Sequence, residues 1–174
     1  GQKWKHNSGW TNENISHCQW YGISCDHEGY VTSIDLRDNN LEGQFPVYTR
    51  NEYQGALILK NDWYESMYGL ANLYKLKTLD LSNNKLSGTI DYLPLYNLNV
   101  LTHFDVSGNQ LSGEVDALVA PSLTYADFSN NNFTSMRRFQ KYKESSFQTL
   151  RDCDVSNNAI QEDATKILES IPPN

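Results

Sequence analysis

The stretch Leu76–Ile90 reads LKTLDLSNNKLSGTI, and the rest of the chain is written on it. Its apolar residues stand at Leu76, Leu79, Leu81, Leu86 and Ile90, with Asn84 and Gly88 between them. Leu79 and Leu81 lie two apart, so on a short strand they point to one side, inward, while Asp80 between them points out. One such turn cannot bury its own leucines, so neighbouring turns must supply the other wall of the core. The pattern recurs at Val31, Ile34, Leu36, Asn39, Leu41, Gly43, Phe45 and at Leu101, Phe104, Val106, Asn109, Leu111, Gly113, Val115. Shorter copies are Leu123, Ala126, Phe128, Asn131, Phe133 and Leu150, Cys153, Val155, Asn158, Ile160. The five copies start 45, 25, 22 and 27 residues apart.

The spacing L-x-x-L-x-L-x-x-N-x-L-x-G-x-I is that of a leucine-rich repeat, and three of the four intervals fit the repeat range of roughly 20 to 29 residues. The expected fold is an α/β solenoid, a curved right-handed stack with a parallel β-sheet on its concave face. Residues 31–160 hold the repeats, 1–30 an N-terminal cap, and 161–174 a short C-terminal capping helix. In that helix Ala164, Ile167, Leu168 and Ile171 share one face ahead of Pro172 and Pro173. A second short helix is expected between Met136 and Phe147. The long first interval makes about 47–68 an insertion, unless it hides a degenerate repeat.

With 174 residues and no break in composition, one domain is expected. A net charge of −7 argues against nucleic acid as a partner; the one basic cluster, Arg137, Arg138, Lys141 and Lys143, reads as a solvated face. No run of 18 apolar residues exists, so no membrane span is expected. The chain begins at Gly1, as a mature, signal-cleaved secreted chain does. His6, His17, His27 and His103 are scattered, and no G-x-S-x-G, H-E-x-x-H or glycine-rich phosphate loop occurs, so neither an enzyme nor a cofactor is expected. A shallow polar sheet also gives carboxylates no desolvated pocket for glycosidase chemistry.

Residues 1–30 lack the repeat spacing but contain Trp10 and Cys18-Gln-Trp20-Tyr-Gly22-Ile23-Ser-Cys25. A stack exposes its terminal core unless an amphipathic segment closes it, and tryptophans locked by a Cys18–Cys25 disulfide suit that place. Such an eight-residue ring stabilises by roughly 2.5 kcal/mol in the chain-entropy model. Zinc is the competing reading, since His17 and His27 flank the pair, although C-x6-C is poor zinc spacing.

The cap pattern W…C-x-W-x-G-I-x-C, followed by L-D-L-S-x-N-x-L-x-G, resembles plant-type extracellular leucine-rich repeat proteins, a class that includes receptor-like kinase ectodomains and polygalacturonase-inhibiting proteins. The resemblance covers about residues 10–46 and 70–160. It departs where only the first repeat keeps its proline, Pro46, against Asp91 and Asp116 in the next two. The resemblance implies a paired Cys18 and Cys25, an extracellular location at the cell surface or in the matrix, and a binding rather than catalytic role. Cys153 takes an inward position, where a free thiol acts as a small apolar residue. In that setting the sequons Asn14-Ile-Ser16 and Asn132-Phe-Thr134 are candidate glycan sites.

Asn39, Asn84, Asn109, Asn131 and Asn158 stand where each turn leaves its strand, and their amides can serve backbone groups that have no ladder partner. Asp35, Asp80, Asp105, Asp127 and Asp154 point outward from every strand. Strands about 4.8 Å apart make this a carboxylate ladder. Each Asp bonding a nearby Ser or backbone N–H explains it more simply than a bound cation, and calcium, if any binds, belongs there. Candidate partner-binding residues on this face are Arg37, Asp80, His103, Asp105, Tyr125, Asp127 and Arg151. In the insertion they are Tyr53, Trp63, Tyr64 and Tyr68. The functional expectation is a secreted, non-enzymatic recognition or adhesion module for a protein, peptide or glycan. The alternatives are a self-assembling structural glycoprotein, stacked through its repeat ends or insertion, and an inhibitor of a cell-wall glycosidase.

Overall fold

The computed structural model describes residues 3–45, 73–90, 98–115, 120–136 and 149–161, together with the backbone of 48–50 and 57–59. The paired inward residues form short strands: β1 (Ile23–Cys25), β2 (Val31–Asp35), β6 (Thr78–Asp80), β8 (His103–Asp105), β10 (Tyr125–Asp127) and β12 (Asp152–Asp154). They build one six-stranded sheet in the order β1-β2-β6-β8-β10-β12, parallel except for β1, which runs antiparallel to β2. The register is strict. Asp35, Asp80, Asp105, Asp127 and Asp154 stand side by side in one row, and Ser33, Thr78, His103, Tyr125 and Asp152 in another.

Each chain turn after a strand needs a left-handed residue, a conformation costly for most side chains but open to Gly, Asn and Asp. Asp38, Asn83, Asn130 and Asn157 take it with φ between 49° and 55°, and Gly108 with φ 63°. The following asparagine then turns inward and stitches two coils together. Asn84 Nδ2 donates to the carbonyls of Leu36, Leu81 and Ser82, while its Oδ1 accepts from the N–H groups of Asn39 and Leu41, all at 2.9–3.0 Å. Asn109, Asn131 and Asn158 repeat the arrangement one coil on each time.

Past the asparagines the chain forms a second parallel sheet. It is made of β3 (Glu42–Gln44), β7 (Lys85–Thr89), β9 (Gln110–Val115) and β11 (Asn132–Met136), in the order β11-β9-β7-β3. Gly43, Gly88 and Gly113 are strand residues with positive φ. The core lies between the two sheets, where Leu76, Leu101, Phe104, Ala126, Phe128 and Phe133 are fully buried. The Phe104 ring meets Phe128 edge-on at 5.6 Å, and Phe128 meets Phe133 at 6.1 Å.

Among the described residues of 47–68, none belongs to a strand of either parallel sheet. β2 pairs directly with β6, and β3 with β7, so no coil stands between the first and second repeats. A short antiparallel pair, β4 (Tyr48–Arg50) with β5 (Leu57–Leu59), lies within that interval. The described residues include no α-helix, only a 3-10 turn at His17–Gln19. The α component of the expected fold, the capping helix in 161–174 and the helix between Met136 and Phe147, falls outside the described residues apart from the ends at Met136 and Gln161.

Cys18 and Cys25 are disulfide-bonded, with their Cα atoms 5.6 Å apart, so they offer no thiolates to zinc. Around them Trp10 packs against Trp20 at 5.0 Å and donates its Nε1–H to the Tyr21 carbonyl. The segment joins the asparagine column through His6, whose N–H donates to Asn39 Oδ1 and whose carbonyl accepts from Asn39 Nδ2. Gly22 permits a closer approach. Its carbonyl accepts from Asp35 N–H at 2.7 Å, and a Cβ there would stand 2.3 Å from the Asp35 carbonyl oxygen.

Cys153 is free and lies against the core, but it is only partly buried. Burial first, then the carboxylates of Asp154 and Asp127, push its thiol up to about 12, which keeps it protonated and unreactive. Unfolded without reductant, the chain is expected to take up one alkyl group on mass analysis, and native Cys153 to react slowly. Uptake of three groups would contradict the disulfide.

Candidate functional site

The exposed face of the six-stranded sheet carries the two outward rows, and its chemistry differs along its length. Each carboxylate is held first by its own strand. Oδ1 of Asp80 and of Asp105 accepts from both the N–H and the hydroxyl of the serine two residues on, Ser82 and Ser107. Asp127 and Asp154 accept the N–H of Ser129 and Ser156 in the same way. This local bonding accounts for an Asp in every strand without a bound cation.

In the first repeat arginine replaces that serine, and the outcome changes. Arg37 is bidentate on Asp35, with Nε and Nη2 each 2.8 Å from a carboxylate oxygen, and its Nη2 also lies 3.1 Å from Asp80 Oδ2 on the next strand. One guanidinium thus closes two rungs. Asp80 is almost fully buried beneath it, so this residue, a partner-binding candidate by sequence, presents little surface.

On β8 and β10 the second row supplies rings. His103 and Tyr125, neighbours in register, stack in parallel with centroids 4.3 Å apart and 3° between planes. Tyr125 reaches along its own strand to donate its hydroxyl to Asp127 Oδ2 at 3.3 Å. Burial, then the charges of Asp127 and Asp105, push the tyrosine hydroxyl up to about 12. Arg151, at the start of the last coil, is exposed.

The carboxylates respond to this setting in opposite senses. Hydrogen bonds from Arg37 hold Asp35 below the usual carboxylate range, so its contribution to stability is present above that range and is lost as pH falls through its folded pKa. Burial, with the neighbouring charges of Asp80 and Asp127, raises Asp105, so folding favours its protonated form and that contribution is lost as pH rises through its folded pKa. Among the described residues, the ion pairs of the column lie at its first two rungs, where Arg37 meets Asp35 and Asp80.

Among the described residues two groups have metal-ligating atoms within 4.8 Å of one another, His17 with Cys18 and Cys25, and Asp80 with His103 and Asp105. The first is spent in the disulfide. In the second, an ion would have to displace Arg37 from Asp80.

Sequence reading missed a lateral cluster beside the sheet. Lys75 Nζ sits 4.0 Å from the Tyr30 ring centroid and pairs with Asp26 at 3.1 Å and with Glu28, while Tyr74 packs on Tyr30 at 5.5 Å. No spacing signalled it, because Tyr30 and Tyr74 meet only when the first two coils stack. The insertion candidates Tyr53, Trp63, Tyr64 and Tyr68 lie outside the described residues.

Comparison with known proteins agrees with this architecture. Family models described as Leucine Rich Repeat match residues 75–94 and 97–114. Receptor-like protein kinase 7 of Arabidopsis thaliana is 39% identical over 90 residues, covering 49% of this chain and 9% of the kinase; the chain thus matches about a tenth of that relative's length. Among solved structures, the BIR2 ectodomain of Arabidopsis thaliana is 25% identical with a TM-score of 0.64, covering 87% of this chain and 69% of its own. The BIR3–SERK2 complex from the same plant is 26% identical with a TM-score of 0.62, covering 87% and 71%. No helix among the described residues is long and apolar enough to cross a membrane. The chain thus has a leucine-rich repeat fold, and its likeness is to the ectodomains of plant receptor-like kinases and receptor-like proteins.

Proposed function

We propose that the protein is an extracellular, non-enzymatic recognition module that binds a peptide or protein segment along the exposed face of the six-stranded sheet. The observation that carries this is the register. Four consecutive parallel strands hold outward polar side chains in two aligned rows, with the His103–Tyr125 stack at their centre. An extended chain laid across such a rigid face meets a new strand about every 4.8 Å. Stacked rings then give apolar contact within a polar surround, the usual form of a binding anchor. The likeness to the BIR3–SERK2 complex, an assembly of proteins, supports a protein or peptide partner.

In this reading residues 1–30 cap the stack, and Asn14 and Asn132 are glycan sites. Both asparagines are exposed, Asn14 in the N-terminal segment and Asn132 on β11 of the second sheet, so glycans there leave the first sheet's face open.

Screening the protein against peptide and glycan arrays tests the reading, followed by titration of the best ligand against a His103→Ala, Tyr125→Ala double variant. A peptide ligand should lose at least about tenfold in affinity, equivalent to about 1.4 kcal/mol. Binding unchanged by the double variant, or hits confined to glycans, would overturn the assignment.

A further inference from the structure

We infer that Arg37 is a specificity-determining residue of the recognition face: it closes the carboxylate row at the first two parallel strands, β2 and β6, and keeps a basic partner segment off them. This deepens the proposed function and rests on it. The sequence sets the position apart. Two residues after the outward aspartate stands a serine in four coils, Ser82, Ser107, Ser129 and Ser156, and an arginine in the first. The serines bond the carboxylate of their own strand.

Arg37 reaches further. Its Nε and Nη2 hold the two oxygens of Asp35 at 2.8 Å, and Nη2 lies 3.1 Å from Asp80 Oδ2 on the next strand. Asp35 and Asp80 are side by side in register, so one guanidinium spans two rungs. The hydrogen bond to Asp35 first, then the charges of Asp80, Asp35 and Asp105, raise the Arg37 pKa. Its field therefore extends to the third rung as well.

A partner meets the two ends of the face differently. At β2 and β6 the carboxylates are already paired, and the Asp80 side chain is only 3% exposed, while the Arg37 side chain above it is 57% exposed. A lysine or arginine of the partner would face a cation there. Reaching Asp80 would require displacing a bidentate fork, a strong kind of charge-assisted hydrogen bonding. Like charges brought together across an interface lower affinity and so discriminate between partners. On β8 and β10 the His103–Tyr125 stack is what the face presents instead. Arg37 thus offsets the partner's footprint toward β8, β10 and β12.

The test screens the peptide array with Arg37→Ser protein, which gives the first coil the residue its neighbours carry. Lys85→Ser is the control, because it removes the same charge from a side chain 54% exposed on the second sheet. Arg37→Ser should add peptides rich in lysine and arginine, bound at least about tenfold tighter than by the parent protein. In NMR spectra of the variant those peptides should shift the carboxyl carbons of Asp35 and Asp80. Peptides selected by the parent should leave both carbons unmoved, and Lys85→Ser should add no basic peptides. An array profile unchanged by Arg37→Ser overturns the inference, and so do basic peptides gained equally by both variants, which is an effect of total charge. The parent protein supplies a measurement independent of the variant's stability: peptides that shift Asp35 and Asp80 there also overturn it. Any of these failures with peptides that still need His103 and Tyr125 leaves the recognition face standing, whereas binding indifferent to both rings removes the proposed function itself.

Discussion

Asn84→Leu is expected to destabilise the protein by about 4 kcal/mol or more, a large share of the roughly 5–15 kcal/mol that holds a typical domain folded. The substitution keeps the branched shape, adds some volume and adds apolar surface, so a view of the core as a hydrophobic effect alone would predict little loss. The hydrogen bonds say otherwise. The Asn84 amide serves five backbone groups, the N–H of Asn39 and Leu41 and the carbonyls of Leu36, Leu81 and Ser82. Each buried backbone group stripped of its partner costs about 1–3 kcal/mol, and only some of the five can recruit water at an 8% exposed site. Urea unfolding followed by circular dichroism gives the number, with Lys85→Ala on the neighbouring exposed position as the control. A loss below about 1 kcal/mol would show that the column is decorative rather than structural.

Phe104→Ala is expected to cost about 3–5 kcal/mol, the usual range for deleting a buried phenylalanine side chain. Phe104 is fully buried at the middle of β8 and meets Phe128 edge-on, so the cavity would open beneath the strand that carries His103 and Asp105. Stability and site should therefore fail together. The His103–Tyr125 stack would loosen before the chain unfolds, and ligand affinity should drop even at temperatures where the variant remains folded. Phe104→Leu, which retains most of the volume, should cost no more than about 1.5 kcal/mol. Thermal unfolding of the two variants distinguishes cavity formation from loss of aromatic contact: similar losses for both would place the energy in the ring pair instead of the volume.

The stack itself was legible because each coil encodes its own inward and outward sides within fifteen residues. Leu79 and Leu81 flank Asp80, and the same triplet recurs as Phe104, Asp105, Val106 and as Ala126, Asp127, Phe128. The asparagines were legible for a similar reason, since a polar residue at one fixed offset in every coil has few uses other than to serve the backbone there. The second sheet was not. Its strands, such as Gln110–Val115, read as polar turn with glycine, and what makes them strands is pairing with the coil before and after.

At the candidate site the division is sharper. Sequence alone placed His103, Tyr125 and the five aspartates on one face, because periodicity fixes which way a side chain points. It could not say that His103 lies flat against Tyr125, that Arg37 would spread over two rungs and bury Asp80, or that Tyr30 and Lys75 would join beside the sheet. Nor could it say whether the long first interval held another coil, which the direct pairing of β2 with β6 excluded. The physical reason is common to all of these. A repeat pattern is a local instruction, satisfied within one coil, whereas each of these contacts joins residues 22 to 45 positions apart and exists only once the coils have stacked in register.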